Sequence, residues 1–392
     1  MVNEKLIGRL EEKYERMVEI RRHLHQNPEL SFQETETAAY IAQFYEDEDV
    51  EVETGVGGNG LRVTIDSGRP GRTLALRADF DALPIQEATG LPFASKNAGV
   101  MHACGHDAHT AYMMLLAETL IELKDEWKGR VVIIHQHAEE TPPGGAIQMI
   151  EDGVLEGVDN VLGAHVMSNM ETGKVFYREE EAQTGRAYFK LRIKGSGGHG
   201  SSPHLANDPI VAGAHFVSEV QTIVSRRLNP FESGVVTIGS FDGKGQFNII
   251  KDEVTLEGDV RAMGDDTKQV IEKEIKRLSG GLEETFGVVN ELEYKDDYPV
   301  LYNDPELTAK VAASIREAGI PGISSVERCG PQPPSEDFAY YTKELSSCFI
   351  YIGAAPEGEP YPHHHPKFNI DERSMLIAAQ AIGSAALSYL ME

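Results

Sequence analysis

The alternation of strand-like and helix-like segments constrains the fold of this chain most strongly. The apolar runs "RTLALRAD", "VVIIHQH" and "VDNVLGAHVM" have the length and composition of buried strands. Between them lie "AYMMLLAETLIELKDEW" and "GGAIQMIEDG", which have the pattern of helices. Strands that alternate with helices predict an α/β layered structure with a largely parallel sheet.

The two ends of the chain are also predicted to be helical. Residues 3 to about 26 have the periodicity of one amphipathic helix, which should end at the "NPE" of residues 27–29. The last helix is predicted to run from Glu372 onward.

The pattern changes near residue 180. From there the chain predicts a strand, a long helix, two strands, a helix and a strand, which is the β-α-β-β-α-β order of a small self-contained sandwich. The alternation of helix and strand then resumes. The 392 residues also exceed the usual size of one hydrophobic core. We therefore predict one domain formed by residues 1–180 and 298–392, and an inserted domain formed by residues 181–297.

Charge and cysteine content exclude several classes of protein. A net charge of -27 argues against nucleic acid and against an anionic membrane surface as partners. The first twenty residues lack the apolar core of a signal peptide, and no apolar run is expected to span a bilayer. Three scattered cysteines do not suggest a disulfide framework. These features favour a protein of the reducing cytoplasm.

The segment "HACGHDAH", residues 102–109, crowds metal-binding side chains into eight positions. An extended or turn backbone would aim the side chains of Cys104 and His106 at a common point, and a thiolate with an imidazole suits zinc. A cysteine nucleophile with a histidine base is a weaker hypothesis, because such partners usually lie far apart in sequence. A solvated, histidine-rich turn is the third interpretation that this segment allows.

Further donors follow other predicted strands or lie in loops, where α/β proteins keep their sites. They are Asp79, Asp81, Glu139, Glu140, His165, His363, His364 and His365. Adjacent carboxylates point in different directions, so one of the pair at 139–140 can bind metal while the other faces a substrate as general base. Each signal alone is also typical of a solvated strand end or a core histidine. Their conjunction is more specific.

Two segments, "GVGGNG" and "GSGGHG", satisfy a dinucleotide-binding glycine pattern. A strand follows the first, so no helix N-terminus is available for a pyrophosphate. Prolines delay the helix after the second, and no strand ends in the required acidic residue. We do not expect a nicotinamide oxidoreductase.

The motifs "MHACGHDAH", "AEE", "GAHV", "GGHGSSPH", "SEDFAYY" and "HHPKFNIDE" resemble, in order and spacing, the aminoacylase and carboxypeptidase-G family of di-metal peptidases. The likeness is to its amidohydrolase branch, which includes hippurate hydrolases and N-acyl-amino-acid deacetylases, and it runs from about Arg21 to about Glu372. It implies an α/β catalytic domain with a mixed sheet between helices. The inserted β-α-β-β-α-β domain would serve as a lid and dimerisation domain.

The resemblance also implies roles for individual residues. Glu139 matches the general base, and Asp81 matches a carboxylate that orients a ligand. Among three neighbouring histidines, His364 is chosen because the family ligand lies two residues before a proline, here Pro366. Two divalent metal ions in each subunit would be held by five residues and bridged by the thiolate of Cys104. The five residues are Cys104, His106, Glu140, His165 and His364.

The implied reaction is hydrolysis of an amide. Two metal ions would lower the pKa of a bridging water, and Glu139 would take its proton and pass it to the leaving amine. His199 resembles the histidine that stabilises the oxyanion, usually across a dimer interface. Asn248 and Arg261 resemble groups that hold the substrate carboxylate.

The sequence leaves the metal and the substrate open. Zinc or manganese is expected, and nickel or cobalt would also suit the donors. The substrate would be an N-acyl amino acid or a dipeptide, and the enzyme a homodimer. Relatives commonly differ at Phe80, His135, His137 and Met167. His137 could perturb the base or line the acyl pocket, or it could be a packing substitution. The alternatives are a metal-dependent dipeptidase or aminobenzoyl-glutamate-type hydrolase, and a metal-binding scaffold without turnover.

Overall fold

The chain divides into two units in a computed structural model that describes residues 2–392. Unit 1 comprises the described residues up to Glu180, together with Tyr302–Gly330 and Asp337–Glu392. Unit 2 comprises Glu181–Leu301 and Pro331–Glu336. The short segment 331–336 carries no boundary signal in the sequence, which is why it was not assigned to the insertion.

Three helices come first in the chain, and single strands or groups of strands then alternate with helices. The helices are α1 (Val2–Glu12), α2 (Tyr14–Gln26), α3 (Thr35–Phe44), α4 (His106–Glu122), α5 (Gly145–Glu151), α6 (Pro209–Arg226), α7 (Asp265–Phe286), α8 (Pro305–Glu317), α9 (Ala339–Glu344) and α10 (Arg373–Met391). The strands are β1 (Glu51–Val56), β2 (Gly60–Asp66), β3 (Thr73–Asp79), β4 (Arg130–Gln136), β5 (Asn160–Met167), β6 (Lys174–Tyr177), β7 (Glu180–Gln183), β8 (Gly185–Lys194), β9 (Gly198–His199), β10 (Gly234–Asp242), β11 (Ile249–Ile250), β12 (Glu253–Ala262), β13 (Val289–Tyr298), β14 (Leu301–Asn303), β15 (Ser325–Arg328) and β16 (Ser347–Gly353).

Unit 1 is built on an eight-stranded mixed sheet with the order β1-β2-β4-β3-β5-β16-β6-β15. The four central strands β4, β3, β5 and β16 run parallel, as does the outer pair β6 and β15. The pairs β1–β2, β2–β4 and β16–β6 are antiparallel. The α/β class is confirmed, and the sheet is mixed because antiparallel strands flank its parallel centre.

Helices cover the sheet and form the core of unit 1. The helices α4 and α10 pack on each other and on β5, while α5 and α9 pack on each other and on β4 and β16, respectively. The helix α10 is long and apolar enough to span a membrane by length and composition, contrary to our expectation for the chain. Within its most apolar stretch of 18 residues, 83% is buried inside the structure, as in a core helix.

The prediction of one helix over residues 3–26 was wrong. The helix is interrupted at Lys13: α1 ends at Glu12 and α2 begins at Tyr14, and both helices pack against α4 and α10. The amine of Lys13 then contacts Glu118 and Glu122 of α4, both at 2.8 Å. Amphipathic periodicity continues across this turn, so it carries no signal for the break.

Unit 2 has the predicted β-α-β-β-α-β order, to which the short strands β9 and β11 and most of β7 are added. The strands β10, β12, β8 and β13 form an antiparallel sheet in that order. The helices α6 and α7 pack on each other and against this sheet. Alternate residues of β8, such as Phe189 and Leu191, are fully buried in the core of this unit.

Candidate metal centre

The carboxyl ends of the central strands gather the donor side chains of unit 1. Because β3, β4 and β5 are parallel, these ends lie at the same edge of the sheet. The strand β3 ends at Asp79, β4 leads into Ala138–Glu140, and β5 carries His165 near its end. The order of the strands therefore brings together residues that are far apart in sequence.

The N-terminus of α4 brings "HACGHDAH" to the same edge. Cys104 precedes the helix, Gly105 adopts a φ of 105°, and His106 is the first helical residue. A Cβ atom at Gly105 would lie 2.5 Å from Cγ2 of Val166, so glycine is required here both for its conformation and for space. The expected turn is present before the helix, but the expectation of extended or turn backbone was wrong for His106 itself.

Two groups of potential ligand atoms share Cys104. One group consists of Cys104, His106 and His165, and the other of Cys104, Glu140 and His364; in each group the atoms lie within 4.8 Å of one another. In the first group the Sγ atom of Cys104 is 3.4 Å from Nε2 of His165. In the second, Nε2 of His364 is 3.2 Å from Oε2 of Glu140. The structure thus brings together all five residues that the resemblance assigned to metal binding.

Glu139 lies beside these ligand atoms. Its Oε2 is 3.9 Å from Nε2 of His106, and Oε1 of Glu140 is 3.8 Å from the same nitrogen. Only 7% of Glu139 is exposed. The two adjacent carboxylates therefore both reach the cluster, and His106 faces each of them.

Unsatisfied buried atoms test whether the cluster fits a metal ion. Among residues 2–392, Nε2 of His106 and Oε1 of Glu140 are buried and have no hydrogen-bond partner. A buried polar atom left unpaired costs about 1–3 kcal/mol. A cation would accept a lone pair from each. One thiolate, three imidazoles and one carboxylate form a donor set that suits zinc and similar divalent ions, so these residues fit a metal.

The charges around the cluster also favour a cation. Burial alone would lower the pKa of His106, but Asp79 and Asp81 outweigh it and raise that pKa to about 10. Loss of solvent and the carboxylate of Glu140 raise the pKa of the Cys104 thiol well above its usual value. The thiolate that binds a metal therefore needs a positive charge beside it.

Hydrogen bonds orient two of the imidazoles. Oδ1 of Asp81 lies 3.0 Å from Nδ1 of His106, and Oδ2 of Asp81 accepts from the backbone N–H of Glu140 at 3.0 Å. Nδ1 of His165 donates to a backbone carbonyl at 2.8 Å. Both rings thus present Nε2 to the cluster. Asp81 has the arrangement expected of a carboxylate that orients a ligand.

The neighbours of His364 have other partners. Nδ1 of His363 donates to the carbonyl of Cys104 at 3.1 Å, and its Nε2 accepts from the N–H of Ser168 at 3.2 Å. His365 stacks on Tyr361 with a centroid distance of 4.6 Å. Only His364, in a left-handed conformation with a φ of 64°, faces Glu140. The geometry supports its choice among the three histidines.

A buried ionic network lies behind the cluster. Nδ1 of His109 lies 2.6 Å from Oδ1 of Asp79, and Arg77 donates to Oδ2 of the same carboxylate. Arg77 also donates to Asp337 and to Gln136, both at 2.8 Å. Although burial would raise it, Arg77 holds the pKa of Asp79 well below its usual range. The network fixes Asp79 and leaves His109 fully hydrogen-bonded.

The other members of "HACGHDAH" point away from the donor cluster. Oδ2 of Asp107 accepts from Nε of Arg21 at 3.1 Å and lies 2.8 Å from Nδ1 of His25. His102 is 2% exposed, and burial lowers its pKa to about 4. We infer that both residues support the packing of α4.

His137 lies in a pocket formed by a glycine turn. Its Nε2 donates to the carbonyl of Gly57 at 3.1 Å, and its ring packs edge-on against Phe32. Burial lowers the pKa of His137. Since these contacts are with a turn and an aromatic ring, the geometry favours the packing interpretation of this residue.

In unit 2, His199 lies on β9 and Asn248 lies in the turn immediately before β11, the strand that pairs with β9. His199 pairs with Ile249, and the N–H of Gly200 donates to the carbonyl of Asn248 at 2.9 Å. Nδ1 of His199 accepts from the N–H of Ser201 at 3.1 Å. The proton of the neutral ring is therefore on Nε2, which suits a hydrogen-bond donor.

Arg261 lies elsewhere in unit 2, on β12. Its Nε donates to Asp259 at 2.9 Å, and its Nη1 donates to Ser335 at 3.0 Å. A guanidinium has five N–H groups, so donors remain for a further acceptor. The side chain is 27% exposed.

Sequence reasoning missed several residues that contact the cluster or its surroundings. Ser31 donates to Oδ2 of Asp81 at 2.7 Å, and Glu34 accepts from the N–H of Ala138 at 2.9 Å. Arg77 could have been noticed as a charge within an otherwise apolar strand. Ser31 and Glu34 lie in the segment "LSFQE", whose polar residues look like an ordinary loop, so no signal identified them.

Comparison with known sequences gives consistent matches along the chain. Residues 75–388 match peptidase family M20/M25/M40. The amidohydrolase YhaA of Bacillus subtilis (strain 168) is 43% identical over 390 residues, covering 99% of this chain and 97% of that protein. N-acetyl-L-cysteine deacetylase of the same strain is 35% identical over 374 residues, covering 95% of this chain and 88% of that protein.

Solved structures agree with these matches. An aminohydrolase from methicillin-resistant Staphylococcus aureus has a TM-score of 0.95 at 68% identity, covering 99% of this chain and 100% of that one. The YXEP protein of Bacillus subtilis, a dinuclear metal-binding peptidase of the M20 family, has a TM-score of 0.83 at 32% identity, covering 97% and 99%. This chain therefore belongs to peptidase family M20/M25/M40 and is an enzyme that acts on amide bonds.

Proposed function

We propose that the protein is a di-metal amidohydrolase that cleaves the amide bond of N-acyl amino acids. The observation that carries the proposal is the pair of unpartnered buried atoms, His106 Nε2 and Glu140 Oε1, beside the carboxylate of Glu139. A site with ligands of this kind next to a carboxylate has the components of metal-assisted hydrolysis.

Cys104 is proposed to be common to two metal positions. His106 and His165 would complete one position, and Glu140 and His364 the other, as their grouping suggests. When bound, divalent ions supply Lewis acidity and lower the pKa of water. Zinc or manganese is our expectation, and nickel or cobalt would also suit the donors.

Glu139 is proposed to act as general base and then as general acid. It would accept a proton from the attacking water and deliver it to the nitrogen of the leaving amine. Its position supports this role, because it lies within reach of His106 without belonging to either group that contains Cys104. Asp81 would keep His106 in the tautomer that leaves Nε2 available.

The substrate class is proposed from the named relatives and from unit 2. One relative is named a deacetylase of an N-acetylated amino acid, which favours an N-acyl amino acid over a dipeptide. Arg261 and Asn248 would hold the carboxylate of the amino acid. His199, with its proton on Nε2, would donate to the oxyanion.

We further propose that the enzyme is a cytoplasmic homodimer joined through unit 2. If His199 acts across the dimer, mixing His199→Ala with Glu139→Gln subunits should restore activity in heterodimers that contain one intact site. A lack of activity in verified heterodimers would show that each subunit uses its own His199.

The test of the proposed reaction compares wild-type protein with Glu139→Gln. Both are loaded with zinc or manganese and assayed on acetyl-, benzoyl- and indoleacetyl-amino acids. The variant should bind metal normally and lose about 100- to 10,000-fold in kcat, since general acid–base catalysis contributes that much. Activity near that of the wild type would remove Glu139 from the base role.

Two outcomes of the same assay, with dipeptides and aminobenzoyl-glutamate added as substrates, separate the alternatives. Hydrolysis of either addition in preference to the acetyl-, benzoyl- and indoleacetyl-amino acids would indicate a dipeptidase or an aminobenzoyl-glutamate-type hydrolase. Full metal loading without hydrolysis of any amide would contradict the proposed function and favour a scaffold.

A further inference from the structure

Ala138, the residue before Glu139, has an unusual backbone conformation. Its φ is 52°, in the left-handed region that a residue with a Cβ atom avoids by roughly 1–2 kcal/mol. Such a residue persists only where the surrounding structure holds it. Ala138 is fully buried, so the contacts that hold it are protein contacts.

Hydrogen bonds fix both sides of this residue. Its carbonyl accepts from the N–H of Gly145 at 3.0 Å. Its own N–H donates to Oε1 of Glu34 at 2.9 Å. Two positions later, the N–H of Glu140 donates to Asp81. The turn that carries Glu139 is therefore held by two carboxylates, of which only Asp81 also contacts a proposed metal ligand side chain.

Glu34 is itself placed by a second contact. It is fully buried before the first turn of α3, and its Oε2 accepts from Nδ2 of Asn59 at 2.9 Å. Burial raises the pKa of Glu34 to about 7. A buried carboxylate is expensive unless its oxygens are satisfied, and here each oxygen has one donor. Asn59 and the backbone of Ala138 therefore determine where this side chain lies.

We propose that Glu34 is a positioning residue for the general base. By accepting the N–H of Ala138 it fixes the left-handed turn that aims the carboxylate of Glu139. The proposal rests on the proposed role of Glu139 and extends it, because Glu34 contacts neither the reacting groups nor the ligands.

The test uses variants at both ends of the Glu34–Asn59 contact. Glu34→Ala removes the acceptor and should lower kcat about 10- to 100-fold, since a displacement of about 1 Å can cost a factor of 100. The KM and the metal content should stay unchanged. Glu34→Gln should lower kcat less than Glu34→Ala does, because its amide oxygen can still accept from the N–H of Ala138. Some loss remains, because its NH₂ group faces the NH₂ group of Asn59.

A double variant provides the specific rescue. In Glu34→Gln/Asn59→Asp the donor and acceptor between the two side chains are exchanged, and the acceptor for Ala138 is kept. Its kcat should exceed that of both single variants, Glu34→Gln and Asn59→Asp. Glu29→Gln is the matched control, because Glu29 accepts from Thr37 in the same helix start and does not contact residues 138–140.

Each result decides for or against the positioning role. Lower melting temperatures with unchanged kcat per folded, metal-loaded enzyme would overturn it in favour of a structural role. Loss of metal in Glu34→Ala would overturn it as well. Failure of the proposed function is separate: it appears as a metal-loaded wild-type enzyme that hydrolyses no amide. Failure of the proposed role of Glu139 appears as full activity in Glu139→Gln, whatever the variants at 34 show.

Discussion

The carboxylate of Asp81 lies 3.0 Å from Nδ1 of His106 and also accepts the backbone N–H of Glu140 at 3.0 Å. One side chain thereby orients the imidazole and fixes the chain that carries the neighbouring carboxylate. The opposite nitrogen of His106, Nε2, faces both Glu139 and Glu140 without a hydrogen-bond partner. The protein's own hydrogen bonds therefore hold two of the proposed metal ligands, His106 and Glu140, in position.

The first prediction concerns this carboxylate. Asp81→Asn keeps the size of the side chain, but its single oxygen can serve only one of His106 and Glu140, and its NH₂ group then faces the other N–H donor. We expect metal affinity to fall about 10- to 100-fold, as for other residues that orient metal ligands. Titration with zinc in a competing chelator measures the change.

Ser31→Ala is the matched control, because it removes one hydrogen bond to Asp81 and leaves the carboxylate in place. Its affinity for zinc should fall less than that of Asp81→Asn, because the carboxylate of Asp81 still faces His106 and still accepts from Glu140. Equal losses in both variants would show that Asp81 acts through packing and not through His106.

The second prediction distinguishes neighbouring histidines. His364→Ala should lose one metal equivalent, since His364 faces Glu140. His363→Ala should keep both equivalents and lose stability instead, because its ring nitrogens bond to Cys104 and Ser168. Metal content by mass spectrometry of native protein separates the two. Loss of metal in His363→Ala alone would reverse the assignment.

Much of the fold was predictable because runs of apolar residues report burial directly. The strands β3, β4 and β5 and the helix α4 are fully or largely buried, and their segments were recognised from composition alone. The strands β6 and β15, with four residues each, were not recognised, since such short and partly exposed segments have too few positions to show a period. The break at Lys13 has no local signal because the partners of α1 and α2 are distant in sequence.

The candidate site divides in a similar way. The side chains in the two ligand groups were identified from residue type and from the resemblance, since thiolate, imidazole and carboxylate are chemically distinctive. Ser31 and Glu34 were missed, because they act through the backbone and through a second side chain. Hydrogen bonds of this kind form where segments distant in sequence meet, and no local sequence pattern predicts such contacts.

The third prediction concerns metal choice. Cys104→Ser replaces a soft sulfur ligand common to both groups by a hard hydroxyl oxygen. We expect the affinity for zinc to fall more than the affinity for manganese, because thiolates favour the softer ion. Competition titrations of the wild type and of Cys104→Ser with zinc and manganese measure the ratio of the two affinities.

Cys348→Ser is the control, since Cys348 is buried in β16 and belongs to neither ligand group. Its zinc-to-manganese ratio should match that of the wild type. An unchanged ratio in Cys104→Ser would mean that the sulfur is not a ligand.

The fourth prediction concerns the stability of α4. Asp107 lies between two buried groups, Arg21 and His25. Removing one partner of a buried ion pair lowers the free energy of unfolding by about 3–5 kcal/mol. The loss in Asp107→Asn should lie near the lower end of this range, because Arg21 keeps its ion pair with Glu372. Urea unfolding of metal-free protein measures this change. Glu126→Gln, which breaks an exposed pair with Lys5, should cost less than about 1 kcal/mol.

The effect of Asp107→Asn should depend on pH in a defined direction. Burial would raise the pKa of Asp107, but Arg21 and His25 hold that pKa well below its usual value. The contribution of Asp107 to stability is therefore present above about pH 4 and is lost on acidification. Burial would lower the pKa of His25, but hydrogen bonds with Asp107 and Glu87 raise it above its usual value. The contribution of His25 to stability is therefore full below about pH 6.5 and is lost as pH rises through the raised pKa. The difference between wild type and variant should therefore be largest between about pH 4 and 6.5. A difference that stays constant from about pH 5 to 9 would contradict a charged His25 as the partner of Asp107.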